Sequence, residues 1–134
     1  RENVYAFPTP ERIAASTESE LRTILRCGYR APYILAAARA VASGSLDLDS
    51  LYTLPSKKAK AALMTLPGIG EKVASCILLF GFGKFDVFPV DVWMRRTVNT
   101  LYGKGFDPSA AFGAYAGIAQ QYLFYQARCE HLYQ

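Results

Sequence analysis

Apolar residues recur every three or four positions through most of this sequence, which is the spacing of one face of an α-helix. Most of these periodic stretches begin with a polar residue that can cap a helix, or with a proline that suits its first turn. The predicted starts are Thr9-Pro10, Thr17, Pro32, Ser56, Glu71, Asp91 and Asp107-Pro108. Residues 47–51 predict only a short turn of helix.

Glycines and prolines mark where the predicted helices end. Gly28 is predicted to be a left-handed cap of the helix that starts at Thr17, and the last helix is predicted to run unbroken from Pro108 to about Gln126. Residues 85–90 alternate like a strand, but Pro89 and the lack of partner strands predict an extended loop. The sequence therefore predicts an all-α fold, a multi-helix bundle that forms a single domain over residues 1–134.

The chain is organised around a hairpin between two helices, with the whole motif at about residues 56–80. Pro67 cannot continue a helix, and Gly68 and Gly70 allow backbone conformations that side chains disfavour. Lys72 falls in the first turn of the next helix, where the helix dipole disfavours a positive charge. This lysine is either a solvated surface residue or a residue held in place for chemistry.

The composition restricts the class of protein. About half of the 134 residues are apolar, which is enough for a packed core, and no apolar run approaches the roughly 20 residues of a membrane span. The sequence starts at Arg1 without an initiator Met, so we expect a piece of a longer protein, and the odd, sparse set of cysteines indicates a reducing, intracellular setting. The three scattered cysteines form no C-x-x-C pair, which argues against zinc and against an iron–sulfur cluster.

The basic charge is concentrated around the hairpin. The net charge is +4, and residues 56–104 alone carry eight Lys and Arg against three Asp and Glu. A local basic excess beside a glycine hairpin indicates a polyanion partner, above all nucleic acid. The alternative is a charged surface that only keeps the protein soluble.

Three stretches supply candidate site residues. Lys72 and Cys76 share one helix face, while the neighbouring apolar residues, Val73 and Phe80 among them, are predicted to pack inward. Gly113, Gly117, Gln120 and Phe124 form a stripe on the last helix that could read the edge and the face of a base. Asp91 is a candidate N-cap. The alternatives are a core role for Cys76 and Phe124, a surface role for Gln120, and capping alone for Asp91.

Together these motifs resemble a known family. Leu-Pro-Gly-Ile-Gly-Glu-Lys-Val-Ala at 66–74, followed by Pro-Val-Asp-Val at 89–92, is similar to the helix–hairpin–helix DNA glycosylases with a Gly-Pro-Asp-type loop. Gly-Tyr-Arg-Ala at 28–31 and Tyr-Ala-Gly-Ile-Ala-Gln at 115–120, with Phe124 after it, resemble the 8-oxoguanine branch. The resemblance implies base-excision repair: removal of 8-oxoguanine from duplex DNA, followed by abasic-site lyase chemistry through a lysine Schiff base.

The resemblance also implies roles for individual residues. Lys72 and Asp91 match the catalytic pair, and Cys76, Gln120 and Phe124 match the residues that hold the flipped base. The implied DNA contacts come from the 28–31 corner, from the hairpin and from the loop after the aspartate: Tyr29, Arg30, Gly68, Gly70, Glu71 and Trp93. Trp93 stands where much of the branch has a histidine. A monovalent cation, K⁺ or Na⁺, is implied at the hairpin backbone of residues 66–71, with no other cofactor.

The chain also departs from the family pattern. The family's amino-terminal β domain is missing, so we expect the isolated chain to be weakly active or inactive. We expect a monomer that acts on double-stranded DNA containing oxidised guanine, away from membranes, in the nucleus of a eukaryote or in the cytoplasm and nucleoid of a prokaryote. The alternatives are a non-catalytic helix–hairpin–helix module that grips DNA, and a glycosylase for a different base lesion.

Overall fold

A computed structural model describes residues 5–129 of the chain, and the regular elements within this range are all helical. The α-helices are α1 (Pro10–Ala14), α2 (Glu18–Ile24), α3 (Ala31–Ala42), α4 (Leu48–Thr53), α5 (Ser56–Leu63), α6 (Glu71–Cys76), α7 (Val92–Tyr102), α8 (Pro108–Phe112) and α9 (Ala116–Cys129). Short 3₁₀ turns occur at Gly28–Arg30 and Gly113–Tyr115, and a π-helical turn follows α6 at Ile77–Gly81. The predicted all-α class is confirmed.

The polar residues predicted from the sequence begin several of these helices. The Thr9 hydroxyl accepts a hydrogen bond from the Arg12 N–H at the start of α1. Thr17 and Glu20 form a reciprocal capping box at the start of α2, in which the Thr17 N–H donates to the Glu20 carboxylate over 2.7 Å. Asp107 caps α8 through the N–H groups of its first turn. Local side-chain hydrogen bonds therefore set where these helices start.

The predicted long final helix is wrong, because the chain breaks at Gly113. This residue has φ +55°, a left-handed value that ends α8, and a 3₁₀ turn then leads into α9. Gly113 therefore lies off the predicted stripe, and only Gly117, Gln120 and Phe124 share α9. The sequence pattern missed the break because the apolar period continues across it.

Two further predictions, one about where a helix begins and one about where a helix ends, are corrected. Ser56 does not cap α5, since Pro55 holds the cap position and the Ser56 hydroxyl lies 2.7 Å from the Asp86 carboxylate instead. Gly28 does not cap α2, because α2 ends at Ile24 and Arg26 is the first residue beyond it with a left-handed φ, at +52°. Gly28 also has a positive φ, but it opens the following 3₁₀ turn.

The described residues form two compact units, and each has its own apolar cluster. The first unit comprises the residues up to Thr53 together with Thr65–Gly68, and α1 and α2 pack on α3 there. Its core is formed by Leu21, Ala31 and Leu35. This unit carries the 28–31 corner and the first part of the hairpin.

The second unit comprises Leu54–Met64 and the residues from Ile69 onward, and it contains α5 to α9. Both α7 and α8 pack on α9, and α5 packs on α6. Its apolar cluster joins the 88–90 loop to α7 and α9 through Phe88, Met94, Val98, Ala116 and Leu123. Lys72, Asp91 and the α9 stripe all belong to this unit.

Candidate active site

Helix α6 and the π-helical turn that follows it present two different faces. Ala74, Ser75, Leu78 and Leu79 are buried, and this spacing of one and four residues defines a single inward face. Val73 and Phe80 are 42% and 64% exposed, so the prediction that they pack inward is wrong. Lys72, Cys76 and Phe80 follow one another at intervals of four residues and line a cavity of about 230 Å³.

Asp91 approaches the same cavity from the start of α7. Its Oδ1 accepts a hydrogen bond from the Met94 N–H over 2.7 Å, so the predicted N-cap is confirmed. The cap fixes the rotamer of the carboxylate, and the rest of the group faces the cavity that Lys72 lines. Capping and a role in chemistry are thus compatible, because the carboxylate has two oxygens.

The loop that leads to Asp91 is held in three places within its unit. The Lys84 ammonium donates to the Leu54 carbonyl over 2.6 Å, and Ser56 bonds Asp86. The Gly117 N–H donates to the Phe85 carbonyl over 2.7 Å. A side chain at 117 would meet the Val87 carbonyl oxygen at 2.5 Å, so only glycine permits this approach. These contacts set the position of Pro89 and Asp91 against α9.

Helix α9 supplies the opposite wall of the cavity. Gln120 is only 7% exposed, which makes it one of the few buried polar residues among those described. Its carbonyl oxygen accepts a hydrogen bond from the side-chain amide of Gln121. One turn further on, Phe124 packs partly against the core, and the Arg128 guanidinium lies 5.9 Å from the centre of its ring. An amide and an aromatic ring therefore face Lys72 and Cys76.

The structure thus brings the five residues predicted for catalysis and base binding to one cavity. Lys72, Cys76, Asp91, Gln120 and Phe124 all line it. Sequence reasoning did not assign Phe80, Pro89 and Gln121 to the site, although they line it too. Phe80 could have been found, since it continues the four-residue spacing of Lys72 and Cys76. Pro89 was noted only as part of the 85–90 loop and of the 89–92 motif, and nothing in the sequence pattern singled out Gln121.

The cavity combines groups with complementary chemistry. Lys72 offers an amine that can act as a nucleophile when it is neutral, and Asp91 offers a carboxylate that can stabilise developing positive charge. Gln120 can both donate and accept hydrogen bonds at the edge of a planar ring, and Phe124 can stack on the face of that ring. At about 230 Å³ the cavity lies just below the usual range for ligand pockets, which starts at about 300 Å³. It suits a single ring system.

The residues predicted to contact DNA lie in several places. Tyr29 is 65% exposed, and the Arg30 guanidinium lies 4.5 Å above its ring. Trp93, in the first turn of α7, is partly exposed, with Arg96 at 5.2 Å from its ring. Tyr29 and Arg30 belong to the first unit, and Trp93 belongs to the second. Their contacts with DNA stay predictions.

The hairpin residues have distinct local roles. Gly68 has φ +80°, and a Cβ there would meet the Tyr33 ring at 2.5 Å. Gly70 occupies the N-cap position of α6 with an extended backbone. The Glu71 carboxylate forms an ion pair with the Lys60 ammonium at 3.3 Å. Glycine at 68 is therefore required both by the backbone conformation and by the packing.

Between residues 5 and 129 no three His, Cys, Asp or Glu side chains come together in a way that could hold a metal ion. Over those residues no helix combines the length and the apolar character that crossing a membrane requires.

The sequence profile that describes the HhH-GPD superfamily of base excision DNA repair proteins matches residues 2–111. The chain belongs to this superfamily. This HhH-GPD chain is 33% identical over 153 residues to a probable N-glycosylase/DNA lyase of Methanothermobacter thermautotrophicus, with 95% of the chain and 49% of the relative covered. It is 36% identical over 139 residues to the N-glycosylase/DNA lyase OGG1 of Arabidopsis thaliana, with 90% of the chain and 38% of the relative covered.

The fold of this HhH-GPD chain has also been observed in a solved structure. It superposes on the Clostridium acetobutylicum 8-oxoguanine glycosylase/lyase, bound to double-stranded DNA with cytosine opposite 8-oxoguanine, with a TM-score of 0.84 and 32% identity. The superposition covers 95% of this chain and 46% of that one. The predicted helix–hairpin–helix glycosylase fold and the resemblance to the 8-oxoguanine branch are confirmed. The chain spans about half the length of the relatives it matches, or less.

Proposed function

We propose that this chain removes 8-oxoguanine from duplex DNA and then cleaves the abasic strand through a Schiff base on Lys72. One observation carries the proposal: an amine, a carboxylate, a buried amide, a thiol and an aromatic ring converge on one cavity. Two relatives support it, since their names are probable N-glycosylase/DNA lyase and N-glycosylase/DNA lyase OGG1. A module that only grips phosphate would need the hairpin but not this cavity.

The first step of the proposed reaction is base flipping, because no side chain can reach the glycosidic bond inside the stack. The flipped ring would lie between Cys76 and Phe124, with its Watson–Crick edge at Gln120. Cys76 ends α6, and the other two residues lie on α9, where Gly117 allows close approach to Leu79 and to the 85–87 backbone and where the apolar cluster supports Phe124. The site is therefore built before the base arrives.

The second step breaks the bond between the base and C1′. The base leaves with the bonding electron pair and takes up a proton, and positive charge develops on the sugar. The Asp91 carboxylate stabilises that charge, and the neutral Lys72 amine adds to C1′. The adduct loses a proton and opens to an imine, and removal of a C2′ proton then expels the 3′ phosphate. The strand is nicked, and water releases the lysine.

The remaining parts of the proposal concern binding. Double-stranded DNA would contact the hairpin backbone at Gly68, Gly70 and Glu71, with Tyr29 and Arg30 at the vacated base and Trp93 near a phosphate. A monovalent cation at residues 66–71 fits this picture, since backbone carbonyl oxygens are the ligands that such ions take in proteins. The chain would act on the DNA as a monomer.

Borohydride trapping tests the chemistry, because reduction of the imine leaves a stable covalent complex between protein and DNA. The chain, in the longest form that its gene encodes, is mixed with duplexes that carry 8-oxoguanine opposite each of the four bases. We expect trapping by the native protein and none by Lys72→Gln. Lys58→Gln is the matched control, since it removes the same charge from an exposed position on α5.

The control separates binding from chemistry. We expect Lys58→Gln still to trap DNA, because electrostatic contacts with phosphates affect the affinity but do not form the imine. Trapping that survives in Lys72→Gln would refute the proposed mechanism. Binding of DNA by the native protein, without any trapped complex or released base, would instead identify a non-catalytic module.

A further inference from the structure

The hydrogen bond between Gln120 and Gln121 is a feature that the proposed reaction does not use. The side-chain amide of Gln121 donates to the carbonyl oxygen of Gln120, and both residues line the cavity. Gln120 is buried, whereas Gln121 is exposed. Adjacent residues on a helix point in directions about 100° apart, so this contact brings Gln121 to the rim of the site.

The orientation of a glutamine amide decides what it can recognise. Its carbonyl oxygen only accepts hydrogen bonds and its NH₂ only donates them, and a rotation of 180° about the last side-chain bond exchanges the two. A guanine-type edge presents an acceptor at O6 beside a donor at N1–H. An adenine-type edge presents a donor at the 6-amino group beside an acceptor at N1. The same amide therefore matches one edge in one orientation and the other edge in the opposite orientation.

In this structure Gln121 holds the orientation of the Gln120 amide. Rotation of Gln120 alone would place its NH₂ against the NH₂ of Gln121, so that two donors would face each other and a part-buried hydrogen bond would be lost. We propose that Gln121 is a positioning residue that orients the Gln120 amide and thereby selects a guanine-type over an adenine-type base edge. This inference rests on the proposed function, which places the edge of the flipped base at Gln120.

The experiment compares two lesions that share the 8-oxo group and differ in this edge. Duplexes that are identical except for 8-oxoguanine or 8-oxoadenine are cleaved under single-turnover conditions, and the ratio of the two excision rates is measured. Because both substrates have the same backbone, changes in electrostatic binding cancel in the ratio. Gln121 is exposed, so its variants are expected to fold.

Three variants cover the hydrogen-bonding choices at this position. Gln121→Lys can only donate, so it keeps the observed orientation of Gln120 and the ratio that favours 8-oxoguanine. Gln121→Met has a similar length and no hydrogen bond, so the ratio falls by roughly tenfold, which is the scale of discrimination by one well-placed pair of hydrogen bonds. Gln121→Glu can only accept, so it turns the Gln120 amide over and lowers the ratio further, towards 8-oxoadenine.

The outcomes separate this inference from the function on which it rests. If the native chain excises 8-oxoguanine and the ratio is the same in all three variants, the role of Gln121 is refuted and the proposed function stands. Equal losses in Gln121→Lys and Gln121→Glu would also refute it, because they would indicate a steric effect. If the native protein, in the longest form that its gene encodes, excises neither lesion, the proposed function fails and the inference fails with it.

Discussion

Replacing Gly117 with alanine tests how closely α9 must approach the loop that carries Asp91. The new Cβ would lie 2.5 Å from the Val87 carbonyl oxygen and 3.1 Å from the Phe85 carbonyl oxygen. It would also lie 2.5 Å from Leu79 Cδ1, but that methyl group can rotate away. The two carbonyl oxygens belong to the backbone, so relief of the clash requires the loop to move.

The expected change in the free energy of unfolding is the sum of two losses and one gain. Overpacking costs about 1–3 kcal/mol, and weakening the hydrogen bond from Gly117 to Phe85 costs about 1 kcal/mol. Alanine regains about 1 kcal/mol of helix propensity. We therefore expect the free energy of unfolding to fall by about 2 kcal/mol, which lowers Tm by roughly 6–10 °C in a domain of this size.

Gly81→Ala is the matched control. A Cβ at this position meets no atom within 4 Å, and the backbone of Gly81 is not left-handed. Thermal unfolding followed by circular dichroism compares the two variants, and we expect Gly81→Ala to leave Tm unchanged or slightly higher.

Activity provides a second measurement. A shift of about 1 Å in a catalytic group can cost about 100-fold in rate, so the single-turnover excision rate of Gly117→Ala should fall on that scale. If Gly117→Ala matches Gly81→Ala in both Tm and rate, the close approach at Gly117 does not position the loop, and this reasoning is refuted.

Substitutions at three further positions test other parts of the structure. Asp91→Asn keeps an oxygen for the Met94 N–H and should change the free energy of unfolding by less than about 0.5 kcal/mol while trapping is lost, whereas Asp91→Ala should lose about 1 kcal/mol as well. Urea unfolding and trapping measure the two effects, and undiminished trapping in Asp91→Asn would show that the carboxylate only caps α7. The hydrogen bonds from the Thr17 N–H and hydroxyl hold the pKa of Glu20 below its usual value. The stabilisation by this carboxylate is thus present at neutral pH and is lost as the pH falls through the lowered pKa. Tm of the native chain should therefore fall at acidic pH, and Glu20→Gln should make this fall smaller. An equal fall in the variant would show that ionisation of Glu20 does not contribute to stability. Gly68→Ala should lower the free energy of unfolding by at least about 1–2 kcal/mol, because alanine is strained in the left-handed backbone conformation of this residue. Equal stability of the variant and the native chain in urea unfolding would show that alanine is not strained there.

The sequence by itself determined the features that depend on neighbours within one or two helical turns. Thr17 and Asp91 could be identified as caps because the groups that they bond lie three residues away. Lys72 and Cys76 could be placed on one face because a helix has a fixed period. The resemblance of the 66–74 and 89–92 motifs then indicated a shared site, and the structure places their key residues at one cavity.

The tertiary structure alone decided the features that depend on distant parts of the chain. Ser56 could serve either as a cap or as a partner for Asp86, and the choice depends on a residue 30 positions away. Apolar residues occur on all sides of α6 and of the π-helical turn after it. Which side is buried, and therefore whether Phe80 is exposed, depends on the elements that pack against them. Gly117 combines both kinds of information. A glycine at this position in the sequence indicates that a neighbour comes close, but only the folded chain identifies that neighbour as the Phe85 and Val87 carbonyls. Short-range patterns encode propensity and period, whereas these contacts arise only when the elements pack.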